Sequence, residues 1–294
     1  MHATSIILAT DLSDAARSAA IWARDMGTRT GLPVIVAHVV ELGFDNWIHG
    51  RYQINFDEAM TTRARAEVAD WYASATGDPP GTVELRVGHC YHELVAIAAK
   101  YDAGMLVMSA TGKSAFARTI VGSRVLQMLS MPPCPVVVVD PISFTVNRSP
   151  RIAAAVDFSK ATPEVVSVAG SLADISQGTL SLVHAFQPPK APVLAGVEFL
   201  TASETADLME AAEAEMRQVA GEHLPGFEGV QSDVITGAVA HALIDFVRQR
   251  RIDMLVLGHT GHWPSPREVL GSTVRRLVGN QPCTLVIAPV PPVV

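Results

Sequence analysis

The sequence predicts an α/β chain of two successive domains, each a doubly wound, five-stranded parallel sheet. Three observations lead there. The chain has 294 residues, enough for two domains of ordinary size that each bury a core. Short runs rich in Val, Ile and Leu alternate with helical patterns, as parallel strands covered on both faces require. The second half also repeats the first.

The repeat fixes the architecture. Asp11 follows the first apolar run in Thr10-Asp11-Leu12-Ser13, and Asp157 follows a matching run in Val156-Asp157-Phe158-Ser159, an offset of 146 residues (157 − 11). His38 in IVAHVV and His184 in LVHAF keep that offset. Gly88 then matches Gly237, His92 matches His241 and Cys134 matches Cys283, now at an offset of 149 (283 − 134), so one net insertion of three residues separates the early and late parts of the unit.

Each element follows in order. In the first copy the apolar runs predict strands at 5–9, 33–39, 82–87, 105–109 and 136–139. Helical patterns fall at about 14–29, 56–75, 91–101 and 123–130, the first opened by Ser13-Asp14, residue types suited to a helix start. The second copy predicts strands near 152–156, 179–185, 231–235, 254–258 and 284–288, with helices near 162–176, 203–222, 239–250 and 272–279. The linker is read at Pro141 to Pro150, giving domains of residues 1–142 and 149–294. Two longer loops, Glu41 to Asn55 and Gln187 to Thr201, follow the second strand of each unit; they either pack over the domain or gate a ligand.

Composition narrows the function classes. Hydrophobic residues make up 49% and charged residues 17%, which marks a globular chain. A formal charge of −7 argues against a nucleic-acid surface. No apolar run reaches the roughly 18–20 residues that span a bilayer, and the N-terminus lacks a basic region ahead of an apolar one, so neither a membrane segment nor a signal peptide is expected. The three cysteines, Cys90, Cys134 and Cys283, show no C-x-x-C spacing and read as buried or semi-buried thiols in a reducing cytoplasm.

The chemistry-bearing segment is VLGHTGHWPSPREVLGST, which sets Gly258, Gly261, Gly271 and Ser272 in the spacing G-x2-G-x9-G-S between a strand and a helix. Glycines allow positive φ and close backbone approach. Free N–H groups at a helix start, with the Ser272 and Thr273 hydroxyls, suit a phosphate; alternatively the glycines only turn the chain and Ser272 only caps the helix. The first copy reads VMSATGKSAFARTIVGSR, with Gly112, Gly122 and Ser123 in register but Ser109 at the first glycine position. Lys113 either contacts a phosphate as a point charge or is a solvated loop lysine. Gly112-Lys113-Ser114 is not a P-loop, because Val107 stands where that motif needs glycine. In the second loop Pro264 and Pro266 stiffen the chain, while His259, His262 and Arg267 are candidate sources of positive charge, the histidines only when protonated. Open α/β sheets bind ligands beyond the carboxyl ends of their strands, which would gather Asp157, the end of the second strand and the glycine loop. His38 and His184 read as half-buried structural residues, and His92 and His241 as caps or surface. Glu93, Asp45 and His49 form no metal spacing.

Both halves resemble universal stress protein domains, through the aspartate after the first strand, IVAHVV and LVHAF, the glycine loops, and the closing CPVVVV and CTLVIA strands. The resemblance implies an adenine-nucleotide α-hydrolase-like fold in each half. It also implies association through the last strands, 136–139 and 285–288, which in a tandem chain would make an intramolecular pseudo-dimer. In the nucleotide-binding branch, the glycine loop holds phosphates and ribose, the early aspartate lies near the nucleotide, and backbone at the end of the second strand meets adenine. Carried over, this implies Asp157, Ala185, Gly258, Gly261, Gly271, Ser272 and Thr273 in the second unit. In the first it implies Asp11, Val39, Gly112, Lys113, Gly122 and Ser123. The second unit, with all its glycines, is favoured. The expected function is cytoplasmic stress response through ATP or another adenine nucleotide, with Mg²⁺ allowed at Asp157. The role is regulatory and any ATPase activity slow, and a homodimer or a regulatory protein is the expected macromolecular partner. The other reading is a nucleotide-independent interaction module.

Overall fold

The computed structural model of the chain describes residues 4–41, 58–111, 121–140, 149–187, 201–227, 230–261 and 270–290. The chain divides into two compact units, Met1–Val146 and Asn147–Val294.

The first unit contains β1 (Ser5–Ala9), α1 (Arg17–Thr30), β2 (Val34–Val40), α2 (Glu58–Thr76), β3 (Thr82–Val87), α3 (Cys90–Lys100), β4 (Ala103–Ser109), α4 (Ser123–Ser130) and β5 (Val136–Val139). All strands pair in parallel, in the order β3-β2-β1-β4-β5. The second unit contains β6 (Arg151–Ala155), α5 (Thr162–Ser176), β7 (Thr179–Phe186), α6 (Ala202–His223), β8 (Gln231–Thr236), α7 (Val239–Arg250), β9 (Met254–Gly258), α8 (Ser272–Gly279) and β10 (Thr284–Ala288). Its parallel order is β8-β7-β6-β9-β10. The predicted elements are all present, most ends falling within two residues of the expected ones. The long segments after β2 and β7 lie almost wholly outside the described residues.

This strand order reverses between β1 and β4, and between β6 and β9. Right-handed crossovers then place α1 and α2 on one face and α3 and α4 on the other. The packing agrees: α1 lies against α2 and α3 against α4, with α5–α6 and α7–α8 repeating the scheme. Burial on both faces explains the continuous apolar runs of the central strands. Ile6, Ile7 and Leu8 of β1 and Leu255 and Val256 of β9 are fully buried.

Local chemistry sets the helix ends. Ser13 accepts the Ala16 amide at 3.3 Å, nucleating a short 3₁₀ turn, Asp14–Ala16, that runs into α1. Gly31 ends α1 with φ 71°, the left-handed conformation glycine adopts at low cost. Thr201 and Glu204 form a reciprocal capping box at the start of α6, with Thr201 N–H donating to Glu204 Oε2 at 2.7 Å and Glu204 N–H to Thr201 Oγ1 at 3.2 Å.

Candidate functional site

The duplicated aspartates turn the chain as it leaves the first strand of each unit. Asp11 Oδ1 accepts the Ser13 amide at 3.0 Å, and Asp157 Oδ1 accepts the Ser159 amide at 3.0 Å. The residue between them is left-handed in both units, Leu12 at φ 63° and Phe158 at φ 58°. A bulky side chain there is strained by roughly 1–2 kcal/mol, and such strain gathers at functional sites because the surroundings enforce it. His38 and His184 brace the same turns from β2 and β7. Their Nδ1 atoms lie 2.7 Å from Thr10 O and 2.8 Å from Val156 O. A carbonyl only accepts, so Nδ1 carries the proton in each ring. Both histidines are half-buried, as expected from sequence, and both also line cavities.

In the second unit the turn, the end of β7, the end of β9 and the start of α8 surround a cavity of about 340 Å³. All seven residues expected here line it: Asp157, Ala185, Gly258, Gly261, Gly271, Ser272 and Thr273. Its floor is apolar, with Val165, Val183, Leu243 and Leu257. A volume of this size with a few convergent polar groups suits a small ligand.

The glycines serve a different purpose from the positive φ that glycine allows. None of Gly258, Gly261, Gly271 or Gly122 is left-handed. Close approach is what excludes a side chain. A Cβ on Gly258 would lie 2.9 Å from Ala161 Cβ and 3.1 Å from Thr260 O, and one on Gly261 would lie 2.9 Å from Asp157 Oδ2. Asp157 therefore holds its turn with Oδ1 and faces the loop with Oδ2. Gly271 donates its own N–H to His259 O at 2.9 Å, closing the loop, so that amide is used. Gly271 is also the N-cap of α8, with no side chain to satisfy the helix start, so Ser272 is not the cap. The first intrahelical bond is Arg275 N–H to Gly271 O at 3.1 Å, which leaves the amides of Ser272, Thr273 and Val274 ahead of it.

One expected charge is absent. His259 Nδ1 accepts the Val290 amide at 3.1 Å, and burial lowers its pKa, so the ring is neutral. His262, Pro264, Pro266 and Arg267 lie outside the described residues, as do Asp45 and His49. His92 and His241 are exposed.

The first unit has a cavity of about 670 Å³ in the corresponding place, lined by Asp11, Val39, Gly122 and Ser123 from the expected set. Gly112 and Lys113 lie outside the described residues. Ser109, at the position of Gly258, also lines it; the residue is 7% exposed and its Oγ has no hydrogen-bond partner among the described residues. Sequence reasoning missed the main polar feature. Arg124, where the second unit has Thr273, pairs through Nε and Nη2 with Glu41 Oε2, the Nε contact at 2.7 Å. Glu41 Oε1 accepts the Cys90 amide at the start of α3, at 2.8 Å. Burial works to raise the Glu41 carboxyl, but the Arg124 hydrogen bond, the Cys90 amide and the Arg124 and His89 charges outweigh it and hold its pKa below the ordinary value. The same repeat offsets put Gln187 at the position of Glu41, so the signal available in sequence was a paired departure, Gln to Glu and Thr to Arg.

No helix among the described residues is long and apolar enough to cross a membrane. Comparisons with known proteins agree with the fold. The universal stress protein family profile matches residues 3–140 and 149–289. Universal stress protein A homolog 1 of Coxiella burnetii is 28% identical over 135 residues, covering 45% of this chain and 91% of that protein. A universal stress protein structure from Archaeoglobus fulgidus superposes with a TM-score of 0.67 at 17% identity, over 98% of this chain and 99% of that one. A universal stress protein solved in complex with cAMP covers 48% of this chain and 98% of its own at 19% identity, with a TM-score of 0.37. Two family matches, one on each unit, establish that the chain belongs to the universal stress protein family as a tandem of two such domains.

Proposed function

We propose that the second unit binds ATP or a related adenine nucleotide and that the chain acts in the cytoplasm as a stress-response regulator. The observation that carries this reading is the convergence of Asp157, the end of β7, the close-packed glycines and the uncapped start of α8 on one cavity at the strand-order reversal. The positive end of the helix and the Ser272 and Thr273 amides and hydroxyls receive phosphate oxygens. The apolar floor and the backbone at Ala185 receive the base. Mg²⁺ fits as a companion of the nucleotide: it takes one or two carboxylates plus substrate phosphates, and Asp157 offers one carboxylate. The role in this reading is regulatory, with any hydrolysis slow.

Calorimetric titration of the full chain with ATP and Mg²⁺ tests the reading. Saturable binding that Gly261→Val abolishes, with the circular dichroism spectrum unchanged, supports it. Absence of binding in the unaltered chain overturns it and favours a nucleotide-independent interaction module. Self-association belongs to the same proposal. Light scattering reads it directly, as the mass of one chain or of two.

A further inference from the structure

In the first unit, one helix-start amide and a guanidinium are trained on a carboxylate that belongs to the chain itself. Glu41 lies just past the end of β2. Its Oε1 accepts the Cys90 amide at the start of α3, and its Oε2 takes two donors from Arg124, the second residue of α4. This is the donor set of an anion site, filled internally. A second observation points to a missing partner. Ser109 lines the same cavity, is 7% exposed, and its hydroxyl has no hydrogen-bond partner among the described residues. A buried hydroxyl with nothing to bond costs stability unless something supplies the bond.

We propose that the first unit is a second binding site, distinct from that of the second unit, for a small ligand with one phosphate or carboxylate group and a polar body. The anionic group exchanges with Glu41 on Arg124 and the Cys90 amide, and the body bonds Ser109. A single negative group is the fitting class. Asp11 lines the same cavity, and a displaced Glu41 stays tethered nearby, so a triphosphate would meet two carboxylates against the one guanidinium among the described lining residues. The second unit has no such device, since Thr273 and Gln187 stand where Arg124 and Glu41 are. This proposal is independent of nucleotide binding in the second unit.

Because Glu41 competes from within, the apparent affinity falls by the fraction of time the site is open; a site open one-tenth of the time binds about tenfold more weakly. Selective ¹⁵N labelling of cysteine in the full chain gives three amide resonances, from Cys90, Cys134 and Cys283. Cys90 reports the site, and the other two report the fold of each unit. The probe is inorganic phosphate, with acetate in a parallel titration to separate phosphate from carboxylate recognition. Glu41→Gln should shift the Cys90 titration midpoint about tenfold lower, with Cys134 and Cys283 unmoved, and Arg124→Gln should abolish it. Glu41→Asp, which shortens the tether but keeps the charge, serves if the glutamine variant disturbs the Cys134 resonance; it should move the midpoint the same way. Equal midpoints with and without Glu41, no Cys90 response to either anion, or a response that survives Arg124→Gln would each overturn the proposal.

Discussion

At the scale of single residues, the site depends on atoms that are absent. Gly258 and Gly261 are needed because the chain passes within van der Waals contact of Ala161 and of the Asp157 carboxylate. Gly258→Val should therefore destabilise the chain by about 1–3 kcal/mol, the usual cost of overpacking, read as a lower urea midpoint. An unchanged midpoint would mean that the loop has room. The glycine spacing was legible in sequence, but its reason was not, because close approach between residues distant in the chain leaves no periodic signal. The neutral state of His259 was hidden for the same cause: its partner is the Val290 amide, a backbone group from the far side of α8 and β10. The thiols give a further residue-scale prediction. Burial pushes Cys134 up to about 12, and burial with the Glu41 charge pushes Cys90 up to about 11. At pH 8 both stay almost wholly protonated, and the thiolate is the reactive form. A chromogenic thiol reagent should react with neither in the native chain and with all three cysteines in urea. Fast native labelling of Cys90 would contradict the geometry.

Among elements, the central strands were legible because burial on both faces writes itself as apolar runs, and the helices because their apolar positions recur at helical spacing. Pairings between elements were not legible. Glu41 and Arg124 are 83 residues apart, and each reads alone as an ordinary surface charge. Element ends make measurable contributions. Thr201→Ala removes half of the capping box of α6 and should cost about 0.5–2 kcal/mol, visible in thermal or urea unfolding. On β3, Glu84 accepts from Lys100 Nζ and from Tyr101 Oη, each at 2.5 Å, and from Arg86 Nε at 3.1 Å, tying the strand to the end of α3. Burial works to raise its pKa, but these hydrogen bonds and the Arg86 and Lys100 charges outweigh it and hold it low. A carboxyl with a depressed folded pKa contributes stability that is fully present above its unfolded value, about 4.3, and lost as pH falls through the folded value. The stability gap between the unaltered chain and Glu84→Gln should thus be larger at pH 7 than at pH 3. An equal gap at both would remove the ionic contribution. Asp233 of β8 and Arg250 at the end of α7 repeat the device in the second unit.

For the whole molecule, duplication has kept the scaffold and let the sites diverge. Both units retain the strained turn after the aspartate, the histidine bracing it, and the loop closed by a glycine amide onto the residue after the fourth strand. They differ where a ligand would sit: glycine against Ser109, Thr273 against Arg124, Gln187 against Glu41. The intact spacing made the second unit the favoured site from sequence, and its seven residues do line one cavity. The first unit has a different set of polar groups, so one class of ligand for both units is not expected. Calorimetric titration of the full chain with ATP and Mg²⁺ tests this most directly. The account predicts one site per chain, abolished by Gly261→Val and retained in Arg124→Gln. Two equivalent sites, or a single site lost with Arg124 and kept with Gly261→Val, would contradict it.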